Sequence, residues 1–164
     1  VRGFGNGYAW PLGPLKRPIQ PGLSDADLLI TICPDKAQAA FRARWAAALP
    51  CPHVSAHLEP LPTGMDWAGL EVVAFAGIGA PERFFATLRG LGARLVATHA
   101  LEDHRELTPA LLIRLQREAA AHGAPLVTTE KDAVRLPAEF RHMVVSLPVR
   151  LELEDWQAFG RLMV

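Results

Sequence analysis

The sequence predicts an α/β fold, a Rossmann-like open and mostly parallel sheet flanked by helices, behind an irregular N-terminal segment rich in glycine and proline. Two observations carry this. From residue 70 onward, short apolar runs alternate with segments of helical spacing, the order that builds parallel sheets through helical crossovers. Before residue 23, five glycines (Gly3, Gly5, Gly7, Gly13, Gly22) and four prolines (Pro11, Pro14, Pro18, Pro21) crowd into one stretch. That density forbids long regular elements and predicts a shaped loop.

After this loop Ser24 and Asp25 offer cap or turn side chains, and Leu28-Leu29-Ile30-Thr31-Ile32, closed by Pro34, reads as a buried strand. The Ala- and Arg-rich residues 35–49 favour a helix that Pro50 and Pro52 stop, and residues 53–59 read as an exposed strand. Residues 70–76 form the next strand, 81–91 a helix opened by Pro81 and closed by Gly92, and 93–98 a second strand, which makes one βαβ unit. Thr108 and Pro109 start a helix whose apolar positions Leu111, Leu112, Leu115 and Ala119 recur at helical spacing up to Gly123. Strand 125–128, a helical turn at 132–136, strand 142–147 and a helix at 154–163 complete the series. The implied division is 1–34 as the tail of one domain, 35–69 as a connecting helix and ribbon, and 70–164 as a C-terminal α/β domain.

Composition limits the function classes. Half of the 164 residues are hydrophobic and 21% are charged, the profile of a chain that buries a core. Its 17 basic and 17 acidic side chains cancel, so no excess positive field draws it to nucleic acid. Cys33 and Cys51 stand apart and form no Cys-x-x-Cys pair, as expected of reduced thiols in a cytoplasmic protein. No apolar stretch approaches the roughly 20 residues that cross a bilayer. The chain opens on a glycine turn with no leading strand, from which a fragment of a longer protein is expected.

Four groups of residues carry candidate chemistry. Gly77-Ile78-Gly79-Ala80-Pro81-Glu82 lies between a strand and a helix, where a dinucleotide fingerprint would sit, but Glu82 replaces the third glycine and would oppose a pyrophosphate. Many α/β folds need such a glycine turn without binding a dinucleotide. Glu102-Asp103-His104 follows a strand, at the sheet edge where ligands bind, and is suited either to proton handling or to a hydrogen-bonded surface pair. Thr128-Thr129-Glu130-Lys131-Asp132 stands at another strand end, able to bind an anion or to hold its own loop by caps and ion pairs. Cys51, His53 and His57 lack a fourth metal ligand nearby, so no metal site is assigned. Lys16, Lys36 and Lys131 are the lysines, and none lies in a Gly-x-x-x-x-Gly-Lys-Ser/Thr loop; nor is there a Gly-x-Ser-x-Gly elbow.

Taken in order, these segments resemble the signature blocks of the tetraacyldisaccharide 4'-kinase (lipid A 4'-kinase) family. Phe4-Gly5-Asn6-Gly7 through Pro11-Leu12-Gly13-Pro14-Leu15 is similar to its Gly-Asn-Gly, Leu-Pro-x-Gly-Pro-Leu-Arg-Glu-Pro block. Residues 74–85 are similar to its Ala-Phe-x-Gly-Ile-Gly-x-Pro-x-x-Phe-Phe block, Asp103-His104 to its Asp-His motif, and the stretch Thr128 to Asp132 matches its Thr-Glu-Lys-Asp motif. The resemblance implies a kinase at the cytoplasmic face of the inner membrane that uses ATP and Mg²⁺ to phosphorylate the 4'-position of tetraacyldisaccharide 1-phosphate. It also implies that the P-loop, the Mg²⁺-binding acids, the catalytic aspartate and the membrane contact lie in a half upstream of Val1, so that this chain alone is inactive.

Carried over residue by residue, the resemblance makes His104 the partner of that aspartate, with Asp103 beside it as a catalytic candidate. It places nucleotide or phosphate contacts at Asn6, Lys16, Thr129 and Lys131, and shaping roles at Gly5, Gly7, Gly13, Gly77 and Gly79. Lys16-Arg17 stands where the family commonly has Arg-Glu, which keeps a cation as a point charge and reverses the carboxylate. Two other classes stay open at this point: a non-catalytic binding or regulatory module descended from the kinase, and a dinucleotide-binding α/β domain.

Overall fold

In a computed structural model of the protein, which describes residues 3–103 and 106–161, the chain folds as two compact units. One comprises residues 1–59 with 150–164 and the other residues 60–149. The compact units therefore divide elsewhere than the sequence boundaries, since residues 35–59 and 150–164 pack in the same unit as the N-terminal loop.

The first unit runs through α1 (Ile19–Gly22), β1 (Leu29–Ile32), α2 (Asp35–Trp45), β2 (His53–Pro60), and, from the far end of the chain, β7 (Val149–Leu153) and α6 (Trp156–Gly160). Its sheet has the order β1-β2-β7, with β1 and β2 parallel from Leu29 opposite His53 to Ile32 opposite Ala56. Two expectations are corrected here. β2 is the middle strand rather than an exposed one: Val54, Ser55 and Ala56 are buried, the apolar pair packs with Leu153, and Arg42 Nη1 donates to Ser55 Oγ at 2.9 Å. β1 is an edge strand and only half buried, with Ile32 exposed.

α2 is fixed to β1 and β2 by one buried amide. Gln38 Nε2 donates to the carbonyls of Thr31, Cys33 and Ala56 at 2.8, 3.3 and 3.1 Å, while the Thr31 hydroxyl donates to Gln38 Oε1 at 2.5 Å. The Thr31 proton is thereby used, so His53 Nε2, 2.8 Å away, donates to Thr31 Oγ1. Burial and the nearby Arg42 guanidinium hold the His53 pKa below its ordinary value, against a smaller opposing pull from Glu154. Phe4 rests against Phe41 and Trp45, with ring centroids 5.5 and 5.6 Å apart, and so seats the glycine-rich loop on α2.

The second unit runs β3 (Glu71–Ala76), α3 (Pro81–Gly90), β4 (Arg94–Ala100), α4 (Pro109–Ala121), β5 (Leu126–Thr129), α5 (Glu130–Ala133) and β6 (Val144–Leu147). All its strand pairs are parallel and the order is β4-β3-β5-β6. β3 explains why its sequence is apolar without alternation, since both of its faces are covered. Val72, Ala74 and Ala76 pack with Phe84, Phe85 and Leu88 of α3, whereas Val73 and Phe75 pack with Leu112, Leu115 and Ala119 of α4. Thr108 caps α4 by accepting the Leu111 N–H, and Pro109 occupies the first turn, as the sequence predicts.

Candidate functional site

In the second unit β3 is followed in space by β4 on one side and β5 on the other, so the strand order reverses direction between β3 and β5. In open parallel sheets the crevice at such a reversal, beyond the carboxyl ends of the strands, is where ligands bind. Gly77 follows β3 there and Glu130 to Asp132 follow β5.

That crevice is bridged by the protein's own carboxylate. Asp132, with no exposed surface, accepts the Gly77 backbone N–H at 2.9 Å and the Thr129 hydroxyl at 2.8 Å through Oδ2, and Arg135 Nη1 at 3.1 Å through Oδ1. Thr129 Oγ1 in turn accepts the Asp132 N–H at 3.1 Å, capping α5. Beneath it, the buried Thr128 hydroxyl donates to the Phe75 carbonyl at 2.8 Å and ties β5 to β3. A Cβ on Gly77 would come within 3.2 Å of Asp132 Oδ1, which accounts for glycine at the first position after β3. The Gly77 amide is committed to Asp132, and a pyrophosphate at this turn would have to displace a buried charge. The dinucleotide reading loses its main donor.

Above the bridge lies a solvent-open pair. Lys131 Nζ stands 3.4 Å from Asp103 Oδ1, both side chains about half exposed, and Asp103 Oδ2 lies 3.6 Å from where a Cβ on Gly79 would be. An exposed pair of this kind contributes little to stability, but it sets an ammonium and a carboxylate together at the edge formed by the carboxyl ends of the strands. The structure thus brings Gly77, Gly79, Asp103, Thr129 and Lys131 to one edge. His104 lies outside the described residues.

Asn6, Lys16, Gly5, Gly7 and Gly13 belong to the first unit. The Asn6 side chain is spent on its own loop: Nδ2 donates to the Leu12 carbonyl at 2.8 Å and Oδ1 accepts the Tyr8 N–H at 3.1 Å. Gly13 is demanded by close approach, because a Cβ there would lie 2.2 Å from the Tyr8 carbonyl oxygen and 2.3 Å from Asn6 Oδ1. Gly7, at φ 85°, faces the Trp45 ring. Lys16 and Arg17 are exposed and line a cleft of about 480 Å³ with Phe4, Ile19 and Leu23.

Comparison with known proteins decides what this arrangement belongs to. The family model described as tetraacyldisaccharide-1-P 4'-kinase matches residues 1–164. The chain belongs to the tetraacyldisaccharide 4'-kinase family. The tetraacyldisaccharide 4'-kinase of Jannaschia sp. (strain CCS1) is 57% identical over 155 residues, covering 94% of this chain and 47% of that protein. The enzyme of the same name from Dinoroseobacter shibae is 58% identical over 155 residues, covering 94% of this chain and 46% of that protein. The chain thus spans about half the length of the curated 4'-kinases it matches. A crystal structure of LpxK from Aquifex aeolicus in complex with ATP superposes with a TM-score of 0.60 at 21% identity, over 96% of this chain and 48% of that one, which confirms the α/β fold.

Within the 4'-kinase frame, the sequence places Asp132 in the Thr128 to Asp132 group, but Thr129 and Lys131 alone of that group are named there as site residues; the structure makes Asp132 the residue to which both neighbouring turns are tied. Its place three residues after Thr129 is the spacing of a reciprocal cap. Its bond to Gly77 spans 55 residues and has no sequence signature.

Proposed function

We propose that this chain is the α/β portion of an ATP-dependent lipid kinase that phosphorylates the 4'-position of tetraacyldisaccharide 1-phosphate in lipid A biosynthesis. The family match along all 164 residues, with two relatives of that name above 55% identity, is the observation that carries the reading. In the reaction the 4'-hydroxyl oxygen attacks the γ-phosphorus of ATP, the bond to the β,γ-bridging oxygen breaks, ADP leaves, and the hydroxyl proton passes to a base. Such transfer is mostly positioning and charge neutralisation.

These residues supply only part of that machinery. The sequence holds no Gly-x-x-x-x-Gly-Lys-Ser/Thr phosphate cradle, and among the described residues no three His, Cys, Asp or Glu side chains are grouped to hold a metal ion. The donor set therefore does not fit Mg²⁺ by itself, and no step is assigned to the ion here. Lys131, beside Asp103 at the sheet edge, is suited to meet a phosphate oxygen as a point charge. His104, directly after Asp103, is assigned to orient the carboxylate base supplied by the rest of the kinase. The site of action in this reading is the cytoplasmic face of the inner membrane. No helix among the described residues is long and apolar enough to cross a membrane.

The test is acceptor phosphorylation. The complete kinase containing this chain, given ATP, Mg²⁺ and the disaccharide 1-phosphate, is expected to form the 4'-phosphate, and the 164-residue chain alone to form none. No product from the complete kinase would overturn the function, whereas turnover by the chain alone would overturn the division of labour.

A further inference from the structure

α5 is a single turn of 4 residues, Glu130–Ala133. A helix of that length does not hold itself, because fixing the first turn costs more backbone freedom than its few hydrogen bonds return. Its place in the fold has to come from contacts outside it.

Two of its side chains supply those contacts, each bound to a different segment. Glu130 Oε2 accepts the Val149 N–H at 3.2 Å, 19 residues away, and Asp132 Oδ2 accepts the Gly77 N–H at 2.9 Å, 55 residues away. Asp132 is also tied to the start of the turn, where its N–H donates to Thr129 Oγ1 and its carboxylate accepts the Thr129 hydroxyl. Lys131 stands between the two acids, and its ammonium lies 3.4 Å from Asp103 Oδ1. The Thr129 hydroxyl proton is used on Asp132, so among the side chains of residues 129–132 the Lys131 ammonium is the donor left for an anion.

We propose that Asp132 and Glu130 are positioning residues for Lys131: by pinning the turn on either side of it, they fix where its ammonium meets a phosphate oxygen. Asp132 has no exposed surface and so acts only through its neighbours. Lysine carries its charge on a flexible four-carbon stem, and an anchored backbone at its root limits the space that charge searches. A charge held in place before the phosphoryl group arrives needs no reorganisation during transfer. The inference deepens the kinase reading and rests on it for the phosphate, adding two residues that work without touching the reacting atoms.

Steady-state kinetics of the complete kinase against ATP, with the disaccharide 1-phosphate as acceptor, test it. Lys131→Ala should lower kcat/KM about tenfold or more, the scale of a lost charged hydrogen bond. Asp132→Ala should lower it about tenfold and Glu130→Ala about threefold. Asp132→Asn and Glu130→Gln keep an acceptor for the Gly77 and Val149 N–H groups and should stay within about twofold of the wild type. The deciding measurement is the double variant. In the Lys131→Ala background the two alanine substitutions should each change kcat/KM by less than about twofold, because a residue that acts through Lys131 then has nothing left to place. A purely structural loss would lower kcat by the same factor with or without Lys131. Glu130 is exposed, so Glu130→Ala carries the test if Asp132→Ala does not fold. The proposal is overturned if the single alanine variants that fold match the wild type, or if their effects persist in full without Lys131. No turnover by the wild type would remove the kinase reading and this proposal with it, whereas wild-type turnover with additive variants removes the proposal alone.

Discussion

The Asp132 carboxylate accepts the backbone N–H of Gly77 at 2.9 Å, joining the turn after β5 to the turn after β3. Because the carboxylate is buried and also held by Thr129 and Arg135, it sets the distance between the two loops that flank the reversal in strand order. At the same edge Lys131, next to Asp132, stands 3.4 Å from Asp103 of the segment after β4.

Asp132→Ala should therefore destabilise the second unit by about 3 kcal/mol, the scale for removing one partner of a buried, charge-assisted set. Asp132→Asn, which keeps an acceptor for Gly77 and loses the charge toward Arg135, should cost less. Urea unfolding followed by circular dichroism measures both, and a loss below about 1 kcal/mol for the alanine variant would show that the bridge does not brace the loops.

Gly13→Ala should destabilise the first unit by about 1–3 kcal/mol, the usual range for forcing atoms into filled space. Its Cβ would overlap the Tyr8 carbonyl and the Asn6 side chain, whereas Gly79→Ala meets only Asp103 Oδ2 at an ordinary 3.6 Å and should be nearly silent. Limited proteolysis should show new cleavage near residues 8–15 in the first variant alone.

His53 should make the first unit acid-sensitive. Its pKa is lowered in the fold from the ordinary 6.5, so the unfolded chain takes up the proton first as pH falls. The stability it contributes is present above about pH 6.5 and declines as pH drops from there through the lower folded value. Thermal unfolding between neutral and mildly acidic pH should show this decline in the wild type and a flatter profile in His53→Gln. Equal profiles would remove His53 as the cause.

In the complete kinase, His104→Ala should lower kcat about 10²- to 10⁴-fold, the usual range for lost proton-handling help, with a smaller change in the KM for ATP. His122→Ala, at the exposed C-terminal cap of α4, serves as the control and should retain activity. Wild-type kcat in both variants would return His104 to the role of a surface histidine.

Much of the second unit was legible in the sequence, because its elements are specified locally. Unbroken apolar runs of β-forming residues such as Val72 to Ala76, helical spacing at Leu111, Leu112, Leu115 and Ala119, and Pro or Gly at the ends of helices need no distant partner to be read. The four family blocks were legible for the same reason, since each is a contiguous stretch of sequence. What only the tertiary structure decided was long-range. β7, absent from the sequence reading, joins β1 and β2 in one sheet and makes β2 its middle strand, with residues 54–56 buried. The pairing of Gly77 with Asp132 likewise depends on β3 and β5 lying side by side, a neighbourhood set by packing α3 and α4 on opposite faces of the sheet. Local chain chemistry fixes which element a segment becomes; only the burial of its faces against segments far along the chain fixes what that element stands next to.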